Sequence, residues 1–95
     1  PEPAKIGATL TQLTFDAGLT TEPSYWAQGN LIAYASDRAT EGENLDIWIQ
    51  QLNGGETRRL TTHPADDRTP DIAPDGSRIV FRSERDGGGL YVVPT

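Results

Sequence analysis

Cysteine and methionine are absent from the 95-residue chain, and histidine occurs once, at His63. Without cysteine there is no disulfide framework, and one histidine excludes the usual zinc clusters and a Cys/His nucleophile pair. No run of about 18 or more apolar residues occurs, so nothing reads as a membrane-spanning helix. The opening PEPAKIGATL also lacks the charged-then-apolar pattern of a signal peptide. Basic residues are scarce: 8 Lys and Arg against 14 Asp and Glu give a formal net charge of -6. That balance works against nucleic acid or an anionic membrane surface as partner, since both need a basic footprint. The rest, 35% hydrophobic and 23% charged, is ordinary material for one small globular domain.

Two stretches carry one pattern. Leu13-Thr14 matches Leu60-Thr61, Pro23 matches Pro70, Gly29 matches Gly76, Ile32 matches Ile79, Ser36 matches Ser83 and Arg38 matches Arg85, all 47 positions apart. Past the arginines the first copy runs ATEGENLD before IWI and the second DGGG before LYV, so the offset falls to 43 between Ile47 and Leu90. A unit of about 43 to 47 residues has the length of a four-stranded propeller blade, not of a helical or leucine-rich repeat.

Local patterns agree with that period. LIAYAS and RIVFRS are rich in β-branched and aromatic residues and bounded by Gly and Asp, which predicts strands. In the first, Ile32 and Tyr34 face one way and Leu31, Ala33 and Ala35 the other, so both faces are apolar, as in a sheet sandwiched between neighbours. Ile47 to Ile49 and Leu90 to Val92 give the next strand, TRRLT or LTQLT a fourth, and EPSYW and TPDIA the strand before each turn. No window has a 3.6-residue apolar period, so no helix is predicted. In the turn APDGS, Pro74 pre-sets φ, Asp75 suits the next position and Gly76 takes a positive φ. The first copy has Ala27-Gln28-Gly29, keeping the glycine but losing the proline, at a cost of roughly 0.5–1 kcal/mol.

The stretch PDIAPDGSRIVFRSERDGGGLYVVP, preceded by RRLTTHPADDRTP, resembles the blade repeat of TolB-type β-propellers. Such blades show Leu-Thr, a variable loop, P-x-x-S-P-D-G-x-x-I-x-F-x-S-x-R and then I-Y-V. The likeness runs from Leu10 to Pro94, and FDAGLTTEPSYW and GENLDIWIQ are also similar to propeller segments attached to bacterial Ser/Thr kinases and winged-helix regulators. The chain departs from the family at Ala27-Gln28, where Pro-Asp is usual, and in having two blades where such propellers carry about six or more.

The resemblance implies an all-β chain of two four-stranded blades. Residues 1–15 are then the fourth strand of a blade, 16–62 the first blade, and 63–95 a second blade without its own fourth strand. It further implies that Leu10, Leu13 and Phe15 complete a neighbour's blade, as the N-terminal strand commonly does in closed propellers. Copies joined head to tail would close a ring, three chains giving six blades being favoured and four giving eight the alternative. The alternative expectation, held equally, is that the chain is a piece of a larger propeller. No cofactor is implied, and the setting implied is periplasmic or otherwise extracytoplasmic.

Candidate chemistry is sparse. His63, near Asp66 and Asp67, has the makings of a base with an orienting carboxylate, but no nucleophile motif such as G-x-S-x-G accompanies it, and a loop histidine before a turn proline is the preferred reading. Asp16, Asp66, Asp67 and Asp71 match no calcium-loop spacing, so a solvated acidic rim is expected and no metal. Gly87 to Gly89 lack phosphate-cradle spacing and read as a tight hairpin. Arg38 and Arg85 recur at equivalent positions and are expected to hold structure by pairing with a loop carboxylate or capping carbonyls. Tyr25 and Trp26 fall on the innermost strand, and Trp26, matched by Ala73, is the residue the repeat does not demand. It is therefore the best single candidate for a ligand contact, with Tyr25, His63, Asp66 and Asp67 as further candidates. The expected function is a non-enzymatic scaffold that assembles with itself and binds protein or peptide. The alternatives are a segment of a larger sensor kinase or peptidase and a purely self-assembling module.

Overall fold

The computed structural model describes residues 20–39 and 44–95. Within them lie seven strands, β1 Thr20–Trp26, β2 Leu31–Ser36, β3 Asp46–Gln51, β4 Thr57–Arg59, β5 Asp67–Ile72, β6 Arg78–Ser83 and β7 Gly89–Pro94. They form two antiparallel sheets, ordered β1-β2-β3-β4 and β5-β6-β7. These are the expected blades, the first with four strands and the second with three. The strand expected over 1–15, with Leu10, Leu13 and Phe15, and also Asp16, lie outside the described residues.

The two sheets are built alike. Tyr34 faces Trp48 across β2 and β3 in the first, and their repeat partners Phe81 and Tyr91 face each other across β6 and β7. Each innermost strand carries a one-residue bulge at the same place, between Thr21 and Ser24 and between Arg68 and Asp71. The extra residues are Glu22 and Thr69, held at φ 57° and 46° just before Pro23 and Pro70. A non-glycine residue in this region costs about 1–2 kcal/mol. Its persistence in both copies means the surroundings impose it.

The core is the contact between the sheets. Leu31, Ala33 and Ala35 of β2 with Ile47 and Ile49 of β3 pack on Ile72, Ile79 and Phe81 of the second blade, and Tyr91 and Val93 add their edges. The face of one blade thus meets the opposite face of the next. β2 is buried at every position, as its doubly apolar sequence predicts, whereas β6 alternates, with Arg78, Val80 and Arg82 exposed. Arg78 and Arg82 stand where β2 has Leu31 and Ala35, so they mark an open sheet face.

The turn after β5 behaves as its sequence predicts. The Gly76 amide donates to the Ala73 carbonyl (2.8 Å), Gly76 sits at φ 76°, and the Asp75 carboxylate accepts from the Ser77 amide (3.0 Å) and hydroxyl (2.8 Å). Those two hydrogen bonds hold the Asp75 carboxyl below its usual value. The equivalent turn in the first blade is solved differently. Residues Ala27–Gly29 form a 3-10 turn, and the left-handed position is taken by Asn30 (φ 53°), not by Gly29. Gly29 is needed for space: a Cβ on Gly29 or on Gly76 would run into the indole ring of Trp26, which rests against both.

Gly29→Ala should therefore cost roughly 1–3 kcal/mol through overpacking, although its backbone is ordinary. In a Trp26→Ala background that cost should largely vanish, while Gly76→Ala keeps the part due to its positive φ. Urea unfolding followed by circular dichroism measures the cycle, and strict additivity of Gly29→Ala with Trp26→Ala would refute the steric account.

Candidate functional site

Polar contacts latch the two blades together along their seam. Along it, three alternate side chains of β1 reach the backbone of the second blade. The Thr69 amide donates to Glu22 Oε1 (2.8 Å), the Ile72 amide donates to Ser24 Oγ (3.2 Å), and Trp26 Nε1 donates to the Pro74 carbonyl (2.9 Å). Period-two alternation puts Ser24 and Trp26 on one face of the strand, and the bulge turns Glu22 toward the same neighbour. The bulge releases the Thr69 amide from its own ladder and offers it to Glu22, which also lies 4.0 Å from Arg68. A repeated backbone distortion is thereby turned into an inter-blade contact.

At the other end of the strands lies a buried ionic cluster. Asp46, at the start of β3, accepts from Arg59 of β4 through Nε (3.1 Å) and Nη2 (2.6 Å), and Asp67, at the start of β5, accepts from Arg85 Nη2 (2.9 Å). Both carboxylates are fully buried, and Asp67 Oδ1 has no hydrogen-bond partner among the described residues. Burial pushes the Asp46 carboxyl above its ordinary value of 3.8, against the pull of Arg59; the charge of Asp67 adds to the rise and Arg85 opposes it. Desolvation outweighs the ion pair here, the usual balance for buried pairs.

The expected site residues are not brought together. Tyr25 and Trp26 end β1, while His63, Asp66 and Asp67 lie at the start of β5, about 20 Å away along the strands. Trp26, expected as a ligand contact, spends its N–H on Pro74 and its ring on two glycine turns. It also walls a cleft of about 250 Å³ with Leu31, Gln51, Glu56 and Arg58. Tyr25 is exposed and donates to Asn30 Oδ1 (3.0 Å). Asp67, expected on a solvated rim, is instead inside the seam, because strand alternation turns it inward next to Ser83. Asp66 accepts the Leu45 amide through Oδ1 (2.9 Å), and His63 Nδ1 accepts the Ala65 amide (3.1 Å). His63 also borders a groove of about 450 Å³ whose apolar wall includes Leu60, Phe81, Tyr91 and Val93. Among the described residues no three acidic or histidine side chains converge to hold a metal.

Arg38 and Arg85 share a task. The Arg38 guanidinium lies over Trp48 (4.7 Å) and donates to the Tyr34 hydroxyl (3.0 Å), and Arg85 lies over Phe81 (5.9 Å) and Tyr91 (5.2 Å). Each covers the aromatic pair of its own sheet, and the amide of each donates to a repeat serine, Ser36 or Ser83. Arg85 reaches a carboxylate as well, but one on a strand rather than in a loop. The sequence reading missed Glu22, Ser24, Asp46 and Arg59. The one available signal was a carboxylate, Asp46, opening the otherwise apolar run DIWI, with arginines in the next strand.

No family model matches the chain. Among solved structures, one from Agrobacterium tumefaciens that carries the TolB name superposes on 92% of this chain with a TM-score of 0.70 at 24% identity. The chain shares the β-propeller blade fold of that structure. Its two blades cover 38% of that structure. The Tol-Pal system protein TolB of Bordetella pertussis is 44% identical over 43 residues, 44% of this chain and 10% of its own length. The uncharacterized peptidase YuxL of Bacillus subtilis is 36% identical over 61 residues, 64% of this chain and 9% of its own. The chain thus spans about a tenth of the length of these curated relatives.

A carboxyl whose pKa is raised by folding favours the fold when protonated. The contribution of Asp46 is full below its unfolded value of 3.8 and is lost as pH rises through the raised value. Relative to the parent, Asp46→Asn should therefore gain stability as pH rises from about 3 to about 7 in urea titrations; a gain on acidification would refute this. Arg59→Ala leaves the buried carboxylate without its cation and should cost about 2–4 kcal/mol at neutral pH, discounted because Arg59 is 30% exposed.

Proposed function

We propose that the chain is a non-catalytic scaffold that closes with copies of itself into a head-to-tail propeller ring, three copies favoured, and offers its loop-bearing ends to protein or peptide partners. One observation carries this reading. Ala33, Ile47 and Ile49 are 0%, 0% and 4% exposed in the seam, while their repeat partners Val80, Leu90 and Val92 are 39%, 74% and 59% exposed. The second blade presents the same face that the first blade buries, and nothing among the described residues covers it. An apolar sheet face of this kind marks an interaction site or an aggregation liability. A contact that joins one face to the opposite face of the next unit is heterologous, and it ends in a ring when the rotation closes.

The non-catalytic part rests on the site: His63, Asp66 and Asp67 are engaged by the chain's own backbone and by Arg85, not arranged about a nucleophile. A second reading has one observation in its favour, the short span of the match to relatives that include a named peptidase. In that reading the two blades are part of a longer propeller next to a peptidase or sensor-kinase domain, and the open face is covered by the following blade of the same polypeptide.

Light scattering on a sizing column separates the two. The ring reading expects a mass about three times the 10.3 kDa of the chain, falling to one chain in Leu90→Asp or Val92→Asp with the far-ultraviolet spectrum unchanged. A parent protein that stays at 10.3 kDa at all concentrations overturns it.

A further inference from the structure

One row of side chains crosses the whole first sheet on the face turned to the second blade. Trp26 of β1 lies opposite Leu31 of β2, Leu31 opposite Gln51 of β3, and the Gln51 amide donates to the Glu56 carbonyl just ahead of β4 (2.8 Å). In the next row on that face Arg58 stands opposite Ile49. These side chains line the cleft of about 250 Å³, which the turn at Gly76 closes from the second blade. The blade repeat does not ask for such walls. Trp26, Leu31 and Gln51 correspond to Ala73, Arg78 and Pro94, whereas the turn glycine, the strand serine and the arginine after it are the same in both copies. Two of the walls also carry charges that are not spent. Glu56 and Arg58, two residues apart, share one side of the chain. Both are exposed, and neither lies within ion-pair distance of the other or of another charge among the described residues. The rest of the cleft is held in place. Gln51 donates through Nε2 to the Gly29 carbonyl (2.7 Å) and to Asn53 Oδ1 (3.2 Å), and Trp26 is fixed by Pro74 and the two glycine turns.

We propose that this cleft binds a free α-amino acid with an aliphatic side chain. The Arg58 guanidinium donates to the ligand's carboxylate, a geometry the planar fork of arginine suits. The ligand's ammonium donates to the Glu56 carboxylate and to Gln51 Oε1, which accepts no hydrogen bond among the described residues. The side chain rests on Leu31, Ile49 and the Trp26 ring. Charge and size choose this class. Opposite charges on one wall call for a ligand that carries both signs on neighbouring atoms, whereas a bare anion would meet Glu56 and a neutral sugar would leave both charges without a partner. Pockets for drug-sized ligands measure roughly 300–1,000 Å³. A cleft of about 250 Å³ suits something smaller. A peptide end brings only one of the two charges and so satisfies half of the site. Walls fixed before the ligand arrives lower the cost of binding it. Every lining residue belongs to one chain, so this proposal does not rest on the ring reading above.

The test titrates the full chain, labelled with nitrogen-15, with L-leucine and follows its amide and indole signals by NMR. Saturable shifts should gather at Trp26, Gln51, Glu56 and Arg58. Three related probes each remove one contact. Glycine lacks the side chain, N-acetyl-L-leucine the ammonium charge and L-leucinamide the carboxylate, and each should bind about tenfold or more weakly. Arg58→Gln and Glu56→Gln should each weaken L-leucine by about the same factor, while Arg82→Gln on the open face leaves it unchanged. If either cleft variant loses the parent's dispersed spectrum, the probe series on the parent chain decides. No saturable shift with L-leucine overturns the proposal, as do shifts centred away from the cleft or an Arg58→Gln chain that titrates like the parent. N-acetyl-L-leucine binding as tightly as L-leucine overturns the free amino acid and assigns the cleft to the carboxyl end of a peptide. L-leucinamide binding as tightly overturns it in favour of an amino end, and glycine binding as tightly overturns the aliphatic side chain.

Discussion

Everything else in this molecule depends on one sheet face lying flat against the opposite face of the next sheet. Neither sheet stands alone, because a few antiparallel strands bury too little apolar surface to offset the entropy of ordering them. The contact supplies what each lacks. Leu31, Ile47 and Ile49 on one side and Ile72, Ile79 and Phe81 on the other are all buried, and a buried aliphatic or aromatic side chain contributes about 1.5–3 kcal/mol. The small Ala33 and Ala35, both fully buried, let the sheets approach closely. A larger residue at either alanine would wedge the sheets apart along their whole length.

The polar groups of the seam do a different job. The three latches from β1 and the two buried ion pairs contribute little net stability, since each desolvates charges or amides that water would have served. The latches do restrict how the sheets can be stacked. Glu22, Ser24 and Trp26 meet three particular backbone groups of the second blade, and a slide of one residue would strand all three. The apolar contact therefore supplies the attraction and the polar groups choose its register.

What could be seen in the sequence was whatever is local. Period-two apolar runs revealed the strands, the repeat of Pro, Gly, Ser and Arg revealed two equivalent units, and APDGS revealed its turn. The seam was less visible because its polar contacts arise from geometry that spacing does not encode. Glu22 reaches Thr69 only because a bulge redirects both, and nothing in the letters around Pro23 says that a bulge is there. The calcium-loop test that sent Asp16, Asp66, Asp67 and Asp71 together to a solvated rim carries no information on strand alternation, which buries Asp67. Trp26 drew notice as the residue outside the repeat, and its role proved to be filling a gap between two glycines that belong to the repeat. The presence of Ala27-Gln28 where the second copy has Pro74-Asp75 was legible as a weaker turn, but not its solution, a left-handed Asn30.

Arg78 and Arg82 have a consequence of their own. On the open face they flank Val80, where the buried face of the first blade has only Leu31, Ala33 and Ala35. Such charges act as gatekeepers: a chain still seeking its neighbour keeps a hydrated, self-repelling surface and does not collapse indiscriminately onto others. The same charges make any contact formed there weaker than the one within the chain. A closed particle built from these units would have strong and weak joints in alternation, and on warming or dilution it would come apart at the weak joints first, releasing folded pairs of blades rather than unfolded polypeptide.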